Sequence, residues 1–102
     1  MTIAASVPAY AHVNADGTLD AANSKNIASS KVVTTGYYCV VPSVAATNAV
    51  ASGDGGTVPR VYDGGFADPF TSCPDGAGVV ESYVYSGGTF SHANHDFYIV
   101  FN

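Results

Sequence analysis

"KVVTTGYYCVVP", Lys31 to Pro42, decides the fold class. It is built from Val, Thr and Tyr, residues that fit a pleated, half-buried surface better than a helix. Gly36 divides it into two runs, as a tight turn or a bulge would. No apolar residue recurs at helical spacing on either side, so the stretch reads as strand, turn, strand.

The same grammar extends outward. Ala9 to Val13 reads as a first strand, and "NADGT", Asn14 to Thr18, carries an Asp-Gly turn. Asp20 to Ser30 is polar and reads as a loop or a weak strand around Ile27. Thr47 to Ser52 is a short run that stops at Gly53 to Gly56. Val58 to Tyr62 follows, and Pro59 argues for a sheet edge. Asp63 to Phe70 is loop-like, and Ser72 to Gly78 is a turn anchored by Cys73. "VVESYVY", Val79 to Tyr85, is a clean strand, and "SGG" turns the chain. Phe97 to Phe101 closes it.

Seven or eight short strands at intervals of about 8–12 residues define an all-β domain, a compact antiparallel β-sandwich or barrel. Residues 1–8 are expected as an extended N-terminal arm and residues 9–102 as one domain. There is no internal repeat and no low-complexity linker.

Composition agrees. The chain has 102 residues, 47% of them hydrophobic, with 11 Gly, 5 Pro and no Trp. Leu19 is the sole leucine, so helix builders are scarce. A chain of this size buries roughly 60–65% of its unfolded surface, which makes the core modest. Net charge is −5, and Lys25, Lys31 and Arg60 are the only Lys and Arg. Three scattered cations make no patch for phosphate backbones or anionic lipid, so neither nucleic acid nor membrane is expected as a partner. No apolar run is long enough to span a bilayer.

Two strands are apolar on both faces. Phe97, Ile99 and Phe101 share one side of the last strand, Tyr98 and Val100 the other. Val79, Tyr83 and Tyr85 oppose Val80 and Val84 in the other strand. In so small a domain the second cover is expected from a partner subunit. Tyr83, Tyr85, Phe97, Tyr98, Ile99, Val100 and Phe101 are therefore the candidate assembly interface of a homo-oligomer, expected as a trimer. The alternative is a central strand whose outer face simply carries tyrosines.

Candidates for chemistry are few. His92, His95 and Asp96 lie together in "SHANHDFYIVFN", but histidines three apart in a strand point to opposite faces. They could chelate only from a turn, with a third ligand, or by meeting copies on a symmetry axis. His12 is the remaining histidine. Asp54-Gly55-Gly56 and Asp63-Gly64-Gly65 could offer loop oxygens to Ca²⁺, yet Asp beside Gly is ordinary turn chemistry. No Gly-x-Ser-x-Gly elbow, dinucleotide fingerprint or phosphate loop is present. The expectation is no enzyme, no cofactor and no metal. Cys39 and Cys73 are an even pair, which suggests one disulfide, with two buried thiols as the alternative.

"GYYCVVP", "SCPDGAG", "VVESYVY" and "DFYIVFN", with the opening Ala11 to Leu19, resemble a small β domain of actinobacterial secreted and surface proteins. That domain sometimes ends collagen-like stalks and also occurs in phages of those hosts. The resemblance implies that Cys39 and Cys73 are paired and carries no catalytic residues. The N-terminus lacks the basic and apolar segments of a signal peptide. That departure favours a phage virion protein that decorates or cements the capsid surface, partnered by the major capsid protein or other virion subunits. The competing expectation is a receptor- or glycan-binding module, a tail-fibre tip or an adhesin that is secreted or at the cell surface.

Overall fold

The strand that ends the chain holds the centre of one sheet. In a computed structural model that describes residues 8–53, 55–62 and 72–102, Phe97, Ile99 and Phe101 are fully buried. They alternate with an exposed Tyr98 and a half-buried Val100, the period of two that a strand imposes. Nine strands are described: β1 (Ala9–Val13), β2 (Leu19–Lys25), β3 (Ile27–Thr34), β4 (Tyr37–Pro42), β5 (Ala49–Gly53), β6 (Gly56–Val61), β7 (Gly78–Ser86), β8 (Thr89–His92) and β9 (Phe97–Phe101). All pair antiparallel, in two sheets.

The first sheet runs β2-β1-β9-β5, the second β3-β4-β7-β6, with β8 added along β7. Their inner faces meet in one core. Ala9, Ala11 and Val13 of β1 and the inward face of β9 pack on Tyr38 and Val40 of β4 and Val80 of β7. Tyr38 meets Phe97 edge-on, with ring centroids 4.9 Å apart, and its hydroxyl donates to the Ala15 carbonyl at 2.6 Å. The largest buried polar tip is thereby satisfied. Gly78 makes room for β9: a Cβ there would stand 2.6 Å from Phe101 Cζ. The fold is a β-sandwich, as the strand spacing implies.

A smaller cluster lies on the outer face of the second sheet. Cys39, Val79, Tyr62, Cys73 and Ala77 pack together, and Cys39 is disulfide-bonded to Cys73 with Cα atoms 6.1 Å apart. The bond holds the segment from residue 72 against β4. The pairing implied by the resemblance is therefore present.

Two parts differ from expectation. Of the two readings of Asp20 to Ser30, the strand at Ile27 is present as the start of β3, whereas the loop is not: the stretch also supplies most of β2, and the two strands meet at Asn26, a non-glycine residue with φ 57°. β2 has weak strand propensity and takes its order from β1. One residue of β1, Ala11 between Tyr10 and His12, opposes four of β2, Ala21 to Ser24 between Asp20 and Lys25. Ser24 closes that bulge, accepting from the His12 backbone N–H at 3.2 Å and donating to the Asp20 carbonyl at 2.7 Å. β8 was also unanticipated, because it is short and exposed over most of its length. Pro59 does lie on an edge strand, opposite Val80. The arm before Pro8, the Asp54 position and the Asp63 to Phe70 loop fall outside the described residues.

Phe101→Ala should lower unfolding free energy by about 3–5 kcal/mol, because a buried ring leaves a cavity between close-packed sheets. The disulfide spans 34 positions, so the Cys39→Ser, Cys73→Ser double variant should lose about 3–4 kcal/mol in urea titrations.

Candidate functional site

The seven expected interface residues divide into three groups. Phe97, Ile99 and Phe101 are 0% exposed within the single chain, so they offer nothing to a neighbour and leave the interface. The reason is topological: β9 lies between β1 and β5, and its inner face is covered by β4 and β7. Tyr98 and Val100 point outward on that sheet. Tyr83 and Tyr85 belong to the outer face of the other sheet, half-buried and exposed respectively. Cys39 and Cys73 form the disulfide described above.

The outer face of the four-stranded sheet has two rows. Register aligns Tyr10, Val100 and Val50 across β1, β9 and β5, and His12, Tyr98 and Ser52 beside them. Tyr10 is 38%, Val50 61% and Tyr98 54% exposed, an apolar band on a hydrogen-bonded platform.

His12 anchors this face. Its Nδ1 lies 3.0 Å from Asp20 Oδ2 and its Nε2 3.0 Å from Asp96 Oδ2. The Tyr98 ring stacks on it, centroids 4.4 Å apart and planes 19° from parallel. The β2 bulge aims Asp20, and Asn23 Nδ2 donates to the same carboxylate oxygen at 2.8 Å. Hydrogen bonds to Asp20 first and Asp96 second raise the His12 pKa, against the opposing effect of burial. Asp20 and Asp96 are lowered in turn, each chiefly by its bond to His12. A protonated ring donates to both carboxylates and presents a cation to Tyr98; a neutral ring donates to one only. In the protonated ring both nitrogens carry a proton that is engaged, so neither takes a proton from a nucleophile.

The other histidines do different work. His92 is layered between Tyr37 and Tyr83, with centroids 4.4 and 4.3 Å away, and its Nε2 lies 3.2 Å from Glu81 Oε1. Glu81 also receives the Tyr83 hydroxyl at 3.1 Å and Arg60 at 3.2 Å. His95 is a buried wedge between strands, its Nδ1 2.8 Å from the Asp96 carbonyl and its Nε2 3.3 Å from that of Gly56. A Cβ on Gly53 or Gly55 would come within 2.9 Å of the His95 ring, so the glycines around position 54 admit it. Among the described residues, no group of three His, Cys, Asp or Glu side chains could hold a metal ion. The two carboxylates at His12 sit on opposite ring edges, and His92 and His95 turn to different partners.

Comparison with family models, curated proteins and solved structures finds no match.

The His12 cluster makes stability depend on pH in a signed way. A raised histidine stabilises fully below its unfolded pKa, about 6.5, and the gain is lost as pH rises through the folded value. The lowered carboxyls stabilise above their unfolded pKa, about 3.9, and the gain is lost as pH falls through their folded values. The melting-temperature difference between the wild type and His12→Asn should therefore be greatest from about pH 4 to 6.5 and shrink toward both extremes. Differential scanning calorimetry across that range checks it.

Proposed function

We propose that this chain is a non-enzymatic virion structural protein that decorates or cements a phage capsid surface. One observation carries the proposal: the outward row Tyr10–Val100–Val50, with Tyr98 beside it, on the four-stranded sheet. A sheet face is rigid, so covering it with a neighbour buries apolar area at little cost in chain ordering. The partners are further copies of the chain, in a trimer, and the major capsid protein or other virion subunits. The acidic balance, −5, suits a solvent-facing coat and argues against nucleic acid and anionic membrane. The motif resemblance to domains of actinobacterial phages supports the same setting, at the capsid surface.

His12 refines how such a face would work. Asp20 and Asp96 flank the apolar band, and protonation of His12 offsets their charge, so contact is favoured on the acid side of neutrality.

A second reading, a receptor- or glycan-binding module of a tail fibre or adhesin, is favoured by the exposed ring pair Tyr85 and Phe90 on the other sheet.

Val50→Glu combined with Tyr98→Glu should abolish particle association and self-association; Val50→Glu alone should leave the melting temperature nearly unchanged, while the pair lowers it modestly because the Tyr98 stack on His12 is lost. Sedimentation velocity of the pure protein and quantitative mass spectrometry of purified particles check this. Hundreds of copies per particle are expected for a coat (a standard-sized interface of about 1,600 Å² per contact would hold it). Absence from particles overturns the proposal.

A further inference from the structure

The β7–β8 hairpin extends beyond the end of β6, and its surface has a composition of its own. Ser86 pairs with Thr89, and Gly87 and Gly88 occupy the two-residue turn at φ 59° and 85°. Positive φ at both central positions is the type I′ geometry that matches strand twist, so the hairpin is a firm ribbon. Tyr85 and Phe90 face each other across it, 63% and 66% exposed, with ring centroids 4.9 Å apart at 60°.

Among the described residues nothing covers the sheet edge beside the rings. The Ser82 amide donates to the Gly36 carbonyl, and the Ala93 amide donates to the Ser82 carbonyl, so Ser82 turns its backbone toward β4 and β8. Antiparallel alternation then turns the backbone of Tyr83 and Tyr85 toward β6. Gly56, the first residue of β6, pairs with Tyr83. Among the described residues no strand lies opposite Tyr85 on that side. Gly55 lies so close that a Cβ on it would stand 1.9 Å from the Tyr83 carbonyl oxygen. The result is a depression of about 550 Å³ lined by Gly55, Gly56, Val84, Tyr85 and Phe90.

We infer that this depression is a binding site for a neutral saccharide chain. A pyranose has an apolar C–H face and a rim of hydroxyls. The two rings fit the face, and the Tyr85 amide and carbonyl offer one donor and one acceptor to the rim. Charge selects an uncharged sugar. The chain carries a net charge of −5; of the two cations on this sheet face, Arg60 is held by Glu81 at 3.2 Å, and Lys31 lies on the far strand β3, 3.4 Å from the Ser72 hydroxyl. An extended peptide fits less well, because strand addition uses a run of alternating donors and acceptors and only Tyr85 offers them before the glycine turn. The site is on the five-stranded sheet and does not depend on the assembly face of the other.

The test is titration of the ¹⁵N-labelled full chain with neutral hexasaccharides of glucose, mannose, galactose and N-acetylglucosamine. A galacturonate hexamer and an alternating Val-Thr peptide are run alongside. At least one neutral hexasaccharide should move the amides of Gly55, Gly56, Tyr85 and Phe90 saturably. Tyr85→Ala and Phe90→Ala should each weaken that binding about tenfold with the melting temperature held, since both rings are exposed. The Val50→Glu, Tyr98→Glu variant should bind as the wild type does, which separates this site from the assembly face. The inference is overturned if no neutral hexasaccharide gives saturable shifts at millimolar concentration, if the uronate or the peptide binds more tightly, or if binding ignores both ring substitutions.

Discussion

The alternation along β9 between β1 and β5 governs the rest of the molecule. Phe97, Ile99 and Phe101 fill the space between the sheets, and Gly78 across the core leaves room for Phe101. Slipping β9 by one residue would drive Tyr98 and Val100 inward and expose three large apolar side chains. Because that register is fixed, so is the outward pattern. Val100 falls in line with Tyr10 and Val50, and Tyr98 falls beside His12. The face proposed for assembly is thus the reverse side of the core strand.

Charge is handled with few cations. Three Lys and Arg stand against eight Asp and Glu, and among the described residues histidines supply carboxylate partners that the lysines do not. His12 serves Asp20 and Asp96, while His92 and Arg60 share Glu81. Histidine loses its charge near neutral pH, so part of this surface pairing is sensitive to pH in a way that Lys or Arg pairing would not be. His95 differs: its ring is packed among glycines and bonded to two carbonyls, which makes it a structural part of the β5 to β6 corner.

Much of this was legible in the residues. β1, β4, β7 and β9 are dense in β-branched and aromatic side chains, Pro59 marked an edge, and an even cysteine pair suggested the disulfide. β2 was not legible, because "LDAANSK" has little strand propensity and is ordered by a bulge that the Ser24 hydroxyl completes at long range. β8 was hidden by its brevity and exposure. Phe97, Ile99 and Phe101 stand among the expected interface residues because both faces of the strand are apolar, and the residues alone do not tell which face the chain covers itself. A central strand finds the inner cover within its own chain, and only the outer face is left over. The His12 cluster joins residues 8 and 84 positions apart, and no local pattern announces it. Asp96 stands with His92 and His95 in the sequence, whereas its carboxylate turns to His12.

The core is complete within one chain, and the association proposed above uses the outward row of the four-stranded sheet. Oxidative footprinting of the isolated chain and of purified particles tests it most directly. Tyr98, Tyr10 and Val50 should be modified readily in the isolated chain and protected in particles, while Phe97 and Phe101 should be protected in both. Equal modification of Tyr98 and Val50 in the two states, or ready modification of Phe97 in the isolated chain, would contradict it.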